Sequence, residues 1–390
     1  QRRPFGAGPM NNRAAGAKGL KTEELLRRYF LGAGFFVVRG ARLMYSALDL
    51  TDVDIWIYER SATLSRRRTV IDVKDKTKPQ AAERLFFVMG VGAILGVEGV
   101  GVATSDKNPE LRSLARKHKV LWLDGDDLQR LKSSVKLAIA DRISEEELIS
   151  MAESVDEARG GKKYREIIEE LKSAAVDRFG ASSANLSLDI FCSTADAAVK
   201  SHPGSDAAKT LTRITFLAAG LSAAALDFAS ADCALRPIAE RRRHMANAIR
   251  FGENVDGTYE KLKWATMALR EYIDNGSSLA SQIQNRFESD VKKIPADDFA
   301  ELIIRLSNTE ALFQIARTLE HAAYSSNVVT FDKLPTDAKS YVGALLDFCR
   351  IDRKKFAAAS PVGSWHPSVL EQQDEDDLID GTDQGRLKLD

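Results

Sequence analysis

The chain has 390 residues, 44% hydrophobic and 29% charged, which excludes disordered, collagen-like and membrane-embedded classes and leaves room for two domains. Its net charge of zero hides an asymmetry: residues 1–136 hold 25 Lys and Arg against 15 Asp and Glu, and the remainder 31 against 41. A basic first third is an electrostatic footprint for a polyanion, chiefly nucleic acid, although a solvated basic surface gives the same count.

Residues 1–18 read as a tag-like, disordered leader with no apolar signal segment. From Thr22 to Ala33, apolar groups at Leu25, Leu26, Tyr29, Phe30 and Ala33 share one helical face, with Thr22 as N-cap and Gly34 as the stop. Phe35 to Arg39 is β-forming and continues past Gly40 as a second extended piece or a bulge. Asp52 to Tyr58 and Thr69 to Lys74 alternate as half-buried strands, and Arg66-Arg67-Arg68 between them reads as a hairpin tip. A helix from Pro79 to about Gly96 follows, then a strand at Val100–Thr104, a helix at Leu111–Lys117, a strand at Val120–Leu123 and a helix at Asp127–Leu137. The apolar run Phe86 to Ala103 is too short, too glycine-rich and, at Glu98, too charged to span a membrane. A strand meander followed by alternating strands and helices predicts a mixed α/β sheet with helices on both faces.

Two of these strands carry acids in phase. Asp54 lies on one, and the next reads Val70-Ile71-Asp72-Val73-Lys74, so Asp72 and Lys74 share a face that strand pairing could bring beside Asp54. Two carboxylates suit Mg²⁺, and a lysine beside them can orient or deprotonate an attacking water. A single Asp-x-Lys triplet is most often a solvated strand face; the in-phase acids and the basic surroundings raise its weight.

Over about residues 19–135 the pattern resembles the PD-(D/E)XK nuclease superfamily, with its restriction-endonuclease-like core, and within it the Mrr-type enzymes. The resemblance rests on Glu23-Glu24-Leu25-Leu26 leading to Gly34-Phe35, the Asp54 strand, Ile71-Asp72-Val73-Lys74, Ala103-Thr104-Ser105 and the closing Leu121-Trp122-Leu123-Asp124-Gly125. It implies that Asp54 and Asp72 bind Mg²⁺ or Mn²⁺, that Lys74 is the catalytic lysine, and that a helix-one glutamate falls on Glu23 or Glu24. Glu23, on the face of Leu26 and Phe30, is the better placed. Gln80 is the nearest counterpart of a glutamine many members keep by the metal. The chain departs from the family in Val53, where a proline commonly precedes the first Asp, and in Asp72, where Mrr-type proteins commonly carry Glu or Gln. Arg66, Arg67, Arg68, Lys76 and Lys78 are the expected nucleic-acid contacts.

From residue 136 to 356 the chain is alanine- and leucine-rich and predicts an all-α domain, with helical periodicity at Tyr164–Phe179, Ala207–Ser230, Thr258–Tyr272 and Ala300–Tyr324. Ile214 to Ala231 holds one charge, Asp227, and reads as a central core helix or an oligomer interface. Residues 357–390 form an acidic tail read as disordered. Cys192, Cys233 and Cys349, odd in number and far apart, indicate neither a disulfide framework nor a zinc site, which suits a reducing, cytoplasmic setting. The expectation is a Mg²⁺- or Mn²⁺-dependent nuclease acting on DNA in restriction or phage defence, with a protein partner or a second copy engaged through the helical domain and no membrane. The alternative is a catalytically silent nucleic-acid-binding or complex-assembling protein.

Overall fold

A computed structural model describes residues 10–45, 48–75, 80–134, 141–161 and 163–360. Helix α1 (Met10–Gly32) begins well before Thr22, so residues 10–18 are helical rather than disordered, and residues 1–9 lie outside the described set. Thr22 is therefore no N-cap: it is buried within α1, where its hydroxyl donates to Asp75 Oδ2 at 2.7 Å. Gly34, at φ 95°, ends the helix in a conformation that L-residues avoid, and the Phe35 N–H closes the turn on the Phe30 carbonyl.

The sheet contains β1 (Phe36–Tyr45), β2 (Leu48–Arg60), β3 (Arg66–Lys74), β4 (Gly99–Thr104) and β5 (Leu121–Leu123), side by side in chain order. The first two pairings are antiparallel hairpins, and the last two are parallel, with α2 (Ala81–Leu95) and α3 (Pro109–Lys117) making the crossovers. Arg66, Arg67 and Arg68 are not the hairpin tip: they open β3, opposite Arg60, Glu59 and Tyr58, and the tip is the stretch from Ser61 to Ser65. On one face Ile55, Ile57, Ile71, Val73 and Ala103 pack against Leu26 and Phe30 of α1 and Leu128 of α4 (Gly125–Ser134). Burial of each of these isoleucines contributes about 1.5–3 kcal/mol.

The opposite face carries Trp56, Tyr58 and Val70, and it meets α2 and the helical half of the chain in one continuous core. That half comprises α5 (Glu145–Arg159), α6 (Lys163–Asp177), α7 (Ala181–Val199), α8 (Asp206–Ser230), α9 (Ile238–Phe251), α10 (Val255–Tyr272), α11 (Gly276–Lys292), α12 (Ala296–Ser307), α13 (Ala311–Tyr324), α14 (Thr336–Phe348) and α15 (Arg353–Ala359). The stretch Ala300–Tyr324 is thus two helices rather than one, broken at Asn308–Glu310. There the Thr309 hydroxyl turns back to the Leu306 carbonyl, while Arg60 of β2 takes the Ser307 carbonyl at 2.9 Å.

Helix α8 is the core helix of this half, wedged between α7 and α13. Among the described residues it is, with its continuation to Cys233, the one segment long and apolar enough to cross a membrane, and 89% of that apolar window is buried inside the fold. Of its two acids, Asp206 opens the helix, whereas Asp227 is fully buried and accepts from the Tyr58 hydroxyl and Arg60 Nη1, both at 2.6 Å, with Arg66 Nε 3.0 Å away. Cys192 and Cys349 are joined in a disulfide, their Cα atoms 5.4 Å apart. This corrects the expectation of unpaired cysteines, and with it the argument from cysteine usage to a reducing compartment. The two lie 157 residues apart, and only the packing of α7 against the end of α14 brings them together. Residues 361–390, most of the acidic tail, lie outside the described set, whereas Ala357–Ala359 complete α15 and Ser360 shares a buried hydrogen bond with Thr212.

Candidate active site

The site lies where two strands part. β2 and β3 are paired from Arg60 and Arg66 as far as Ile55 opposite Ile71, and there their ladder ends. β2 continues toward Leu48 on the arm of β1, while β3 continues to Lys74 on the arm of β4, with Asp72 opposite Val102 and Lys74 opposite Thr104. Asp54 and Asp72 are the first residues past the last pair, one on each prong. The Asp54 carboxylate turns into the gap and its Oδ2 accepts from the Val73 N–H at 2.6 Å, so a side chain closes the ladder position the backbone leaves open.

The surroundings of Asp54 gather the four residues expected to carry chemistry. Burial pushes its carboxyl up to about 7; the negative charges of Asp72 and Glu23 push the same way, and the Val73 N–H and the Lys74 ammonium pull it down. Glu23 reaches this point from α1, anchored by Arg39 of β1, whose Nε donates to Glu23 Oε2 at 3.2 Å and whose Nη1 donates to Glu24 Oε2 at 3.0 Å. The same buried guanidinium also binds Glu146 of α5. One arginine therefore joins the helix-one glutamates to the helical half. The next residue, Gly40, has φ 60°, a bend in β1 that favours glycine.

Two arginines that the sequence reading did not single out belong to the site: Arg39, and Arg84 on α2. Arg84 grips the buried Asp72 with two prongs, Nε donating to Oδ2 at 2.7 Å and Nη2 to Oδ1, while its Cζ stacks 4.0 Å from the centre of the Phe87 ring. Although burial favours its neutral form, the hydrogen bond and charge of Asp72 and the charge of Asp54 raise Arg84 above its ordinary value. A signal was present, since Glu83 and Arg84 are the only charges in an otherwise apolar helix.

Of the expected nucleic-acid contacts, Arg66 is held against Asp227. Arg68 binds Glu98 at 2.8 Å and the Gly96 carbonyl at 2.6 Å, and stacks over Phe228. Both sit at the end of β3 away from Asp72; Arg67 is exposed there, and Lys76 and Lys78 lie outside the described residues. Gln80 is exposed at the start of α2, in the left-handed region at φ 50°.

Among the described residues, no three or more His, Cys, Asp or Glu side chains cluster closely enough to hold a metal ion by themselves. The fork offers two carboxylates and no softer donor. That set fits Mg²⁺ or Mn²⁺, which bind through one or two carboxylates and fill the remaining positions with waters and phosphate oxygens. Comparison of the chain with family models, with curated proteins and with solved structures returns no match.

Proposed function

We propose that the chain is a nuclease that hydrolyses DNA phosphodiester bonds with Mg²⁺ or Mn²⁺, its sheet domain being a restriction-endonuclease-like core of the PD-(D/E)XK kind and its role restriction or phage defence. The observation that carries this reading is the fork, at which Asp54 and Asp72 adjoin across the splayed strands with Lys74 and Glu23 acting on the same carboxyl. Asp54 and Asp72 would hold the cation. When bound, it supplies Lewis-acid stabilisation of the charge that develops on the phosphoryl oxygens. Lys74, as its ammonium, would orient the attacking water and offset the charge that develops on the phosphoryl oxygens, and Glu23 would add negative charge that favours a cation at the fork. The basic excess of the first third, with the lysines that follow Lys74 in sequence, supports DNA as the substrate. The cytoplasmic location taken here rests on that substrate and not on the cysteines.

The test is incubation of supercoiled and linear DNA with the full chain in Mg²⁺, in Mn²⁺ and in chelator. Cleavage should require the cation, and Asp72→Ala and Lys74→Ala should each lower it at least a hundredfold while the protein stays folded. Cleavage that survives Asp72→Ala overturns the reading.

A second reading is favoured by α10 and α11, which pack on each other and touch little else. Trp264 is 70% and Tyr272 78% exposed there. A complex-assembling protein, silent until a protein partner or a second copy covers this pair, accounts for such anchors.

A further inference from the structure

We propose that Arg84 is the resident counter-cation of the fork: it holds Asp72 in the cation-free protein, yields that carboxylate to the divalent cation, and then grips the phosphodiester. The inference rests on the nuclease reading and adds an order of events to it.

Both oxygens of Asp72 are engaged by one guanidinium, and the carboxylate is only 6% exposed. Arg84 takes the lone pair of each Asp72 oxygen that faces it, and the burial of the carboxylate leaves a cation little room on the remaining ones, so a cation that coordinates Asp72 competes with the guanidinium for it. The exchange is also favoured by charge. Arg84 feels Asp54 as well as Asp72, so a dication seated between those carboxylates repels the guanidinium that has been neutralising them. Arg84 then has a place to go. Phe87 lies one turn further along α2, and the guanidinium already stacks on its ring, a seat that keeps the plane of the fork while freeing its N–H groups to turn. What arrives at the fork with the cation is a phosphodiester, an anion whose two non-bridging oxygens match the guanidinium fork as the carboxylate did. The buried arginine of the site, Arg39, cannot play this part, since Glu23, Glu24 and Glu146 all hold it.

The experiment measures Mn²⁺ binding to the full chain by calorimetry, without DNA, in the parent and in Arg84→Met, Arg84→Lys and Asp72→Asn proteins. Arg84→Met, which keeps bulk and loses charge, should bind Mn²⁺ about tenfold more tightly than the parent, Arg84→Lys should fall between them, and Asp72→Asn should bind weakly or not at all. In a Lys74→Ala background with Mn²⁺ present, adding Arg84→Met should weaken DNA binding and lower the slope of log K against log salt by about one, the signature of one lost phosphate contact. Equal or weaker Mn²⁺ binding by both Arg84 variants, with Asp72→Asn still deficient, overturns the role of Arg84 and leaves the cation site standing. Absence of Mn²⁺ binding from every protein overturns both. A tighter Mn²⁺ site with an unchanged salt slope overturns the phosphate grip.

Discussion

At the scale of single residues, Asp54 works against the stability of the metal-free fold. Its folded value of about 7 lies above the ordinary 3.8, so between those values the folded chain holds a proton that the unfolded chain has lost. Metal-free stability therefore falls as pH rises through that window and falls no further above it. Asp54→Asn keeps an acceptor for the Val73 N–H and removes the charge; its melting temperature should exceed the parent's at pH 8, approach it near pH 4, and no longer respond to Mn²⁺. A variant that melts below the parent at pH 8 would contradict this account. The adjacency of Asp54 and Asp72 was legible in the sequence because register follows the apolar pattern: once Ile55 and Ile71 face the same core, the acids beside them must share the other side. The grip of Arg84 was not legible, since it depends on how α2 docks on the sheet, and spacing along the chain does not encode that.

At the scale of elements, α1, α5, α6 and α13 are locked by a buried ionic cluster. Arg27 donates to Glu145 and to Glu320, both at 2.9 Å; Arg142 also binds Glu320; and Lys172 and the Tyr324 hydroxyl bind Glu145 at 3.1 and 2.7 Å. Burial opposes the charge on Glu145, yet Lys172, Arg27 and Tyr324 hold it at about 2, so its contribution is complete above about 4.5 and is lost as pH falls toward 2. Glu320→Gln leaves two buried arginines short of a partner and should cost about 3–5 kcal/mol in urea denaturation. Arg165→Ala, which removes an exposed and solvent-screened pair with Glu153 and Glu169, should leave the denaturation midpoint nearly unmoved. Comparable losses would mean that the buried cluster is not what fastens these helices. The strands, and most of the helices up to residue 134, could be placed from alternation and spacing alone. The early start of α1 could not, because its first two turns lack an apolar stripe, and the break at Asn308 is hidden by apolar positions that continue in phase on either side.

At the scale of the molecule, the opposite charges of the two halves answer one another. Arg27, Arg39, Arg60 and Arg66 of the basic third pair with Glu145, Glu320, Glu146 and Asp227 of the acidic remainder, so part of the polyanion that the composition called for is the chain's own helical half. DNA affinity should accordingly fall with salt along a slope well short of the roughly −9 that ten phosphate contacts would give. A slope that steep would show that these arginines face DNA after all. The Cys192–Cys349 bond closes a long loop across this half. Cys349→Ser should lower stability by about 2–4 kcal/mol, and dithiothreitol should bring the parent down to the variant while leaving the variant unmoved. Finally, Trp56 and Tyr58 of β2 lie against Phe179, with Phe228 and Phe313 completing the ring of contacts around Tyr58. The sheet cannot be cut loose at residue 135 without baring two buried aromatic rings and stranding Arg60 and Arg66. Whatever lineage carries this sheet must inherit its helices as a single heritable unit.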